Sequence, residues 1–155
     1  MRYFEDYPVG KIERVGAYHV TREEVIEFAS KYDPQPFHLD NEAAAKSPIF
    51  GRLAASGWHT CAMTMRMLTD AGTEDGHFSL GGNAVDELRW VKPVYPGDRL
   101  SVQAEVLKAS APKSRPDMGF VTFALIVYNQ HEEPVMTLKV TNMQPRRTPG
   151  DANPA

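Results

Sequence analysis

Ser56-Gly57-Trp58-His59-Thr60-Cys61-Ala62-Met63-Thr64-Met65-Arg66-Met67-Leu68-Thr69-Asp70-Ala71-Gly72 has the marks of one long helix. The Ser-Gly entry supplies a capping residue, no proline interrupts the run, and Gly72 closes it. Trp58, Cys61, Ala62, Met65 and Leu68 form one apolar stripe at helical spacing, with Met63 and Met67 beside it. Large apolar groups on both sides of a stripe predict a helix covered on most of its circumference, as a central helix wrapped by a sheet is. Met63, Met65 and Met67 read as core filler, because flexible thioethers fill irregular gaps.

Downstream of this helix the chain turns to strands. Val85 to Val91, Leu100 to Lys108, Gly119 to Tyr128 and Val135 to Val140 alternate or are rich in β-branched and aromatic residues. They are divided by the turn Pro93-Val94-Tyr95-Pro96-Gly97-Asp98, the polar loop Ala109 to Asp117, and the hairpin connection His131-Glu132-Glu133. Upstream, an irregular lead-in to Lys11 is followed by a short strand, Val15 to Val20. Thr21-Arg22-Glu23-Glu24 then has the form of a capping box, opening a helix that buries Val25, Ile26, Phe28 and Ala29 and stops at Pro34. A second short helix fits Asn41 to Lys46, with Asp40 as a structural or capping carboxylate. Consecutive strands with short connections pair antiparallel, so the pattern predicts an α+β domain with an antiparallel sheet curled around a helix. Residues 1–144 form this single domain; 145–155, rich in Pro, Gly, Arg, Asn and Asp, form a disordered tail.

Composition narrows the function. The chain has 155 residues, enough for one core without a metal or disulfide to hold it. Its 17 Lys and Arg against 20 Asp and Glu give a formal net charge of −3, and no basic run interleaved with aromatics points to nucleic acid. Arg52, Arg89, Lys92, Lys113 and Arg115 read as solvated charges first and phosphate contacts second. The single cysteine, Cys61, fits a reducing compartment and lies among apolar neighbours unsuited to a nucleophile. No apolar run reaches membrane-spanning length, and Glu5 and Asp6 come too early for a secretory signal, so the expected location is the cytoplasm.

The chemistry concentrates in Asp33-Pro34-Gln35-Pro36-Phe37-His38-Leu39-Asp40. Each proline fixes its own φ and drives the preceding residue out of the helical region, which predicts an extended, stiff segment. Such a backbone can aim Asp33 and His38 at one water molecule, and a carboxylate and an imidazole sharing a water make a base. Taken singly, an Asp before Pro is more often a turn initiator and a His more often a satisfied core group. Their joint spacing and the Ser-Gly helix entry favour catalysis. His19, His77 and His131 read as structural or solvent-facing.

From Val20 to Thr141 the chain resembles the MaoC-like hydratase/dehydratase family of the hotdog fold, which includes the R-specific enoyl-CoA hydratases. The likeness rests on Asp33 through Asp40, on the entry Ala55-Ser56-Gly57-Trp58, and on Leu88-Arg89-Trp90-Val91-Lys92-Pro93-Val94-Tyr95-Pro96-Gly97-Asp98. Tyr32 stands where the family usually has Gly, and Gln35 where it has Asn. The resemblance implies that Asp33 and His38 are a catalytic dyad and the Gly57 amide an oxyanion donor. Gln35, Ser56, Trp58 and His59 are the candidate substrate-binding residues around them. It further implies reversible hydration of an enoyl-CoA without metal or other cofactor, in at least a homodimer with the acyl tunnel near the interface. Two alternatives stand beside this: a thioesterase on the same fold, and a non-catalytic acyl-CoA-binding subunit.

Overall fold

The computed structural model describes residues 1–147. Strand β1 (Ile12–His19) leads into helix α1 (Arg22–Tyr32), short helix α2 (Asn41–Ala45) and the 18-residue helix α3 (Gly57–Glu74). Strands β2 (Gly81–Trp90), β3 (Arg99–Ser110), β4 (Met118–Tyr128) and β5 (Pro134–Pro145) follow. All five strands form one antiparallel sheet in the order β1-β3-β4-β5-β2. This is the α+β hotdog arrangement, a sheet with one long helix against it. No helix among the described residues is long and apolar enough to cross a membrane.

Apolar pairs in register set the sheet, among them Val102 opposite Val127, Phe123 opposite Val140 and Leu125 opposite Leu138. Met63 and Met67 of α3 join Val20, Val25, Leu100, Val102, Val127 and Met136 in the main buried cluster. Gly16 makes close contact between β1 and α3 possible: it takes a φ of +90°, and a Cβ there would lie 2.4 Å from Met67 Sδ.

Several expectations need correction. β3, β4 and β5 pair in sequence, but β2 does not pair with β3. The segment 91–98, with Pro93, Pro96 and Gly97, carries the chain away, and β2 lies at the edge beside β5. The strands also run longer than their most regular stretches, because backbone pairing continues through polar residues that pattern reading discards. The Thr21 hydroxyl accepts from the Glu24 amide at 3.3 Å as expected. The Glu24 carboxylate, however, bonds Tyr18 and His59 instead of reaching back to complete the box. Residues 145–147, expected in the tail, are held by the domain: Pro145 pairs with Met118, Arg146 bonds Glu5, and Arg147 bonds Asp6. Residues 148–155 lie outside the described part.

The largest revision concerns α3. Its buried face is His59, Thr60, Met63, Thr64 and Met67. Trp58 and Met65 of the supposed core stripe are 60% and 59% exposed. Polar residues can be buried here because their bonds close locally: Thr64 Oγ1 donates to the Thr60 carbonyl at 2.8 Å, and His59 bonds Glu24. Cys61 and Leu68 of the stripe stay half-buried against the core, whereas Trp58 and Met65 face the open side of the molecule, where Val85 and Trp90 of β2 are also largely exposed.

Candidate active site

Asp33 is the C-cap of α1, its amide bonded to the Ala29 carbonyl at 2.9 Å. Gln35 is extended as its following proline requires, with φ −81° and ψ 140°. The extended stretch is shorter than expected: Pro36–His38 closes a single 3-10 turn, with the His38 amide bonded to the Gln35 carbonyl at 2.9 Å. Through that turn His38 Nε2 comes within 3.5 Å of Asp33 Oδ2.

The His38 ring is fixed from three sides. Nδ1–H donates to the Ala54 carbonyl at 2.7 Å, and a carbonyl can only accept, so Nε2 of the neutral ring carries the free lone pair. The Phe37 ring meets the imidazole edge-on at 4.6 Å, and Phe50 lies tilted at 5.5 Å. The Ala54 carbonyl is itself positioned by neighbours, since the Leu53 amide bonds Asn41 Oδ1 at 3.0 Å and the Ala55 amide bonds the Val94 carbonyl at 2.8 Å. Tyr95 adds a bond from its hydroxyl to the Phe50 carbonyl at 2.7 Å, and Asp98 closes the turn by accepting from the Tyr95 amide. The Pro-Gly-Asp turn is therefore a support for the dyad. Asp40 caps α2, accepting from the Ala43 amide at 3.0 Å.

Asp33 accepts from Ser56 Oγ at 2.7 Å through Oδ2 and from Gln35 Nε2 at 2.7 Å through Oδ1. Partial burial opposes the charged carboxylate, but the Ser56 and Gln35 bonds, aided by His38, outweigh it and hold Asp33 below the usual carboxylate range. An ionised carboxylate and a ring nitrogen bearing a lone pair are both acceptors. A water between them can donate one proton to each and keep an oxygen lone pair free for attack.

Ser56 is the N-cap of α3, yet its side chain caps nothing because it is turned to Asp33. The first amides of α3, Gly57 among them, have no intrahelical acceptor and stand at the positive end of the helix dipole. A growing negative charge beside the dyad meets them there. The Gly57 carbonyl accepts from Trp90 Nε1 at 3.0 Å, and a Cβ on Gly57 would lie 2.4 Å from the Trp90 ring. Gly57 is thus required by the packing of the indole.

Asp33, Gln35, His38, Ser56 and the start of α3 are brought together. Trp58 stands on the outer side, its ring T-shaped against Trp90 at 5.2 Å. His59 is turned to α1: only 2% exposed, it stacks on Phe28 at 4.7 Å and bonds Glu24 Oε1 at 3.0 Å. Glu24 also accepts from the Tyr18 hydroxyl, and burial together with that bond pushes Tyr18 up to about 12. Burial likewise pushes the Cys61 thiol up, in keeping with a residue that packs and does not react. Sequence reasoning passed over the Ala54 carbonyl, Trp90 and the Glu24–Tyr18 pair. Only Trp90 left a signal, as part of the segment before the Pro-Gly-Asp turn.

Residues 4–129 match the family model of the MaoC like domain. The chain belongs to the MaoC-like family. This MaoC-like chain is 32% identical over 128 residues to the uncharacterized protein YdeM of Bacillus subtilis (strain 168), covering 83% of this chain and 88% of that one. Among solved structures it is similar to the MaoC-like dehydratase from Rhodospirillum rubrum, with 39% identity, a TM-score of 0.84, and coverage of 96% and 99% of the two chains. It is also similar to the R-hydratase PhaJ1 from Pseudomonas aeruginosa, at 26% identity and a TM-score of 0.66, covering 94% of this chain and 86% of that one.

Proposed function

We propose that this MaoC-like chain is a hydro-lyase that reversibly adds water across the 2,3 double bond of an enoyl-CoA or related acyl thioester. The observation that carries this is the pairing of Asp33 Oδ2 with His38 Nε2 at 3.5 Å while His38 Nδ1 is held by Ala54. Water held by the two acceptors attacks C3, its proton passing to the dyad. The π electrons move toward the thioester carbonyl, whose oxygen becomes an enolate facing the Gly57 amide. The dyad then returns a proton to C2 on the same face, so the proton taken from water ends on carbon and no redox equivalent is consumed. Neither a metal nor an organic cofactor enters these steps. Gln35, the longer amide at the family's Asn position, supports the same role by donating to Asp33.

The working unit in this proposal is a cytoplasmic homodimer joined along β2. That strand is an edge, with a row of unpaired backbone groups and an exposed Val85, and pairing with a twin covers it.

Crotonyl-CoA tests the reaction. Loss of the enoyl absorbance without release of thiol is the expected result. Release of free thiol identifies a thioesterase and overturns the proposal, and no change in either signal identifies a binding subunit.

A further inference from the structure

Strand β2 reaches α3 by way of an irregularity. Val85 pairs with Val140 and Trp90 with Met136, yet Asp86 to Arg89 takes three steps where Lys139 to Thr137 takes two. The extra residue is a β-bulge. Side chains alternate across a strand, so without it Val85 and Trp90, an odd and an even position, would lie on opposite faces. With it they share the face of Met136, whose Sδ lies 3.6 Å from Cys61 Sγ of α3. Glu87 stands inside the bulge with a φ of +51°, a conformation unfavourable for a residue with a Cβ, and its carboxylate pairs with Lys139. Backbone strain is accepted at the point that turns Trp90 toward α3.

What Trp90 meets there is the first residue of the helix. Its Nε1 donates to the Gly57 carbonyl at 3.0 Å, and its ring fills the space that a Cβ on Gly57 would take. This end of α3 has few other restraints. Helix ends fray, glycine has the freest backbone, and the Ser56 hydroxyl, which as N-cap would hold the first turn, bonds Asp33 instead. The peptide that carries the Gly57 amide also carries the Ser56 carbonyl, which accepts from the Thr60 amide at 3.1 Å. Gly57 is thus gripped from both sides, the peptide before it by Thr60 and the peptide after it by Trp90.

Resting on the hydratase reading, we infer that Trp90 is a positioning residue: by holding the Gly57 carbonyl it fixes the aim of the Gly57 amide at the enolate oxygen. Without the indole bond the glycine is free to turn about its φ and ψ, and the peptide bearing the amide can tilt relative to the dyad. Negative charge on the thioester oxygen develops only as water adds, so a misaimed donor lowers kcat and leaves KM nearly unchanged. Trp90 itself touches no reacting atom in this scheme and acts through Gly57.

Hydration of crotonyl-CoA by the full chain, in the parent and in Trp90→Phe, tests this. Phenylalanine keeps an aromatic ring against Gly57 and lacks the N–H. The variant is expected to lose at least about tenfold in kcat with KM within about twofold of the parent. Bound cinnamoyl-CoA gives a second reading, because its absorption moves to longer wavelength as donors pull on the thioester oxygen. That shift should shrink by about half or more in Trp90→Phe, which a loss of stability alone would not produce. A parent-like kcat, a loss confined to KM, or an undiminished shift overturns the inference and leaves the hydratase reading intact. A parent that does not hydrate crotonyl-CoA overturns both. Should Trp90→Phe not fold, β-(3-benzothienyl)alanine at position 90, with sulfur in place of the N–H on a ring of nearly the same size, gives the same decision.

Discussion

Ser56 Oγ donates to Asp33 Oδ2 at 2.7 Å, joining the N-cap of α3 to the C-cap of α1. A hydroxyl that would ordinarily cap its own helix instead supports the charged form of the Asp33 carboxylate. Ser56→Ala removes that support, so the Asp33 pKa rises and the acidic limb of kcat/KM moves to higher pH. The sign for stability follows from the same shift. Asp33 is held low in the folded state, so its contribution is complete above its unfolded value near 3.9 and disappears as pH falls through the folded value. Ser56→Ala therefore narrows the difference in urea midpoint between neutral and acidic solution. An acidic limb that stays in place shows that the bond does not govern Asp33.

Asp33→Asn and His38→Gln each alter one of the two acceptors on which the proposed hydration rests. Each is expected to lower kcat on an enoyl-CoA by at least about 10², with a far-ultraviolet circular dichroism spectrum like that of the parent. Near-normal turnover in both eliminates the dyad.

Gly57→Ala places a methyl group inside the contact radius of the Trp90 ring. Overpacking of this kind costs about 1–3 kcal/mol, read as a lowered urea midpoint, and it shifts tryptophan emission because the indole must leave the Gly57 carbonyl. Trp90→Leu in the same chain should restore part of the lost stability. A double variant no more stable than Gly57→Ala contradicts this packing account.

Glu24 joins Tyr18 of β1, its own helix α1, and His59 of α3. Glu24→Leu leaves a phenol and an imidazole nitrogen without their partner, at a cost of about 1–3 kcal/mol. Because the Glu24 carboxyl is held below its usual range against its own burial, the part it contributes is present above the unfolded value near 4.3 and is lost as pH falls through the folded one. The difference in stability between parent and variant should thus shrink in acid. A difference that is constant with pH argues that only packing was lost.

Val85→Lys puts a charge in the middle of the β2 edge. Sedimentation velocity of the parent should show a dimer and of the variant a monomer. A dimer that survives the substitution locates the interface elsewhere.

Helix α3 was legible because no proline interrupts the run after Ser56, although it passes through Gly72 to Glu74 where Gly72 was expected to close it, and its orientation was not legible. Hydrophobicity ranks Trp58 and Met65 above Thr60 and Thr64, whereas a threonine that returns its hydroxyl to the preceding turn is buried at little cost. The dyad was legible from the prolines that restrict the chain between Asp33 and His38. Its main anchor was not, since the Ala54 carbonyl belongs to the backbone and is the same chemical group at every position. Pairing of β2 with β5 was likewise hidden, because the path of the connection 91–98 depends on contacts made only in the folded chain.

The bond from His38 Nδ1 to the Ala54 carbonyl has a bearing on mutational tolerance. A main-chain oxygen survives every amino-acid replacement, so no change of residue identity at 54 can delete it. The tautomer of the His38 ring is thereby insulated from point substitution at residue 54, and the sensitive positions move outward to whatever tilts that peptide plane, Asn41 and Val94 foremost. Random mutagenesis should find the weak points of proton transfer a residue or two removed from the imidazole's own contacts.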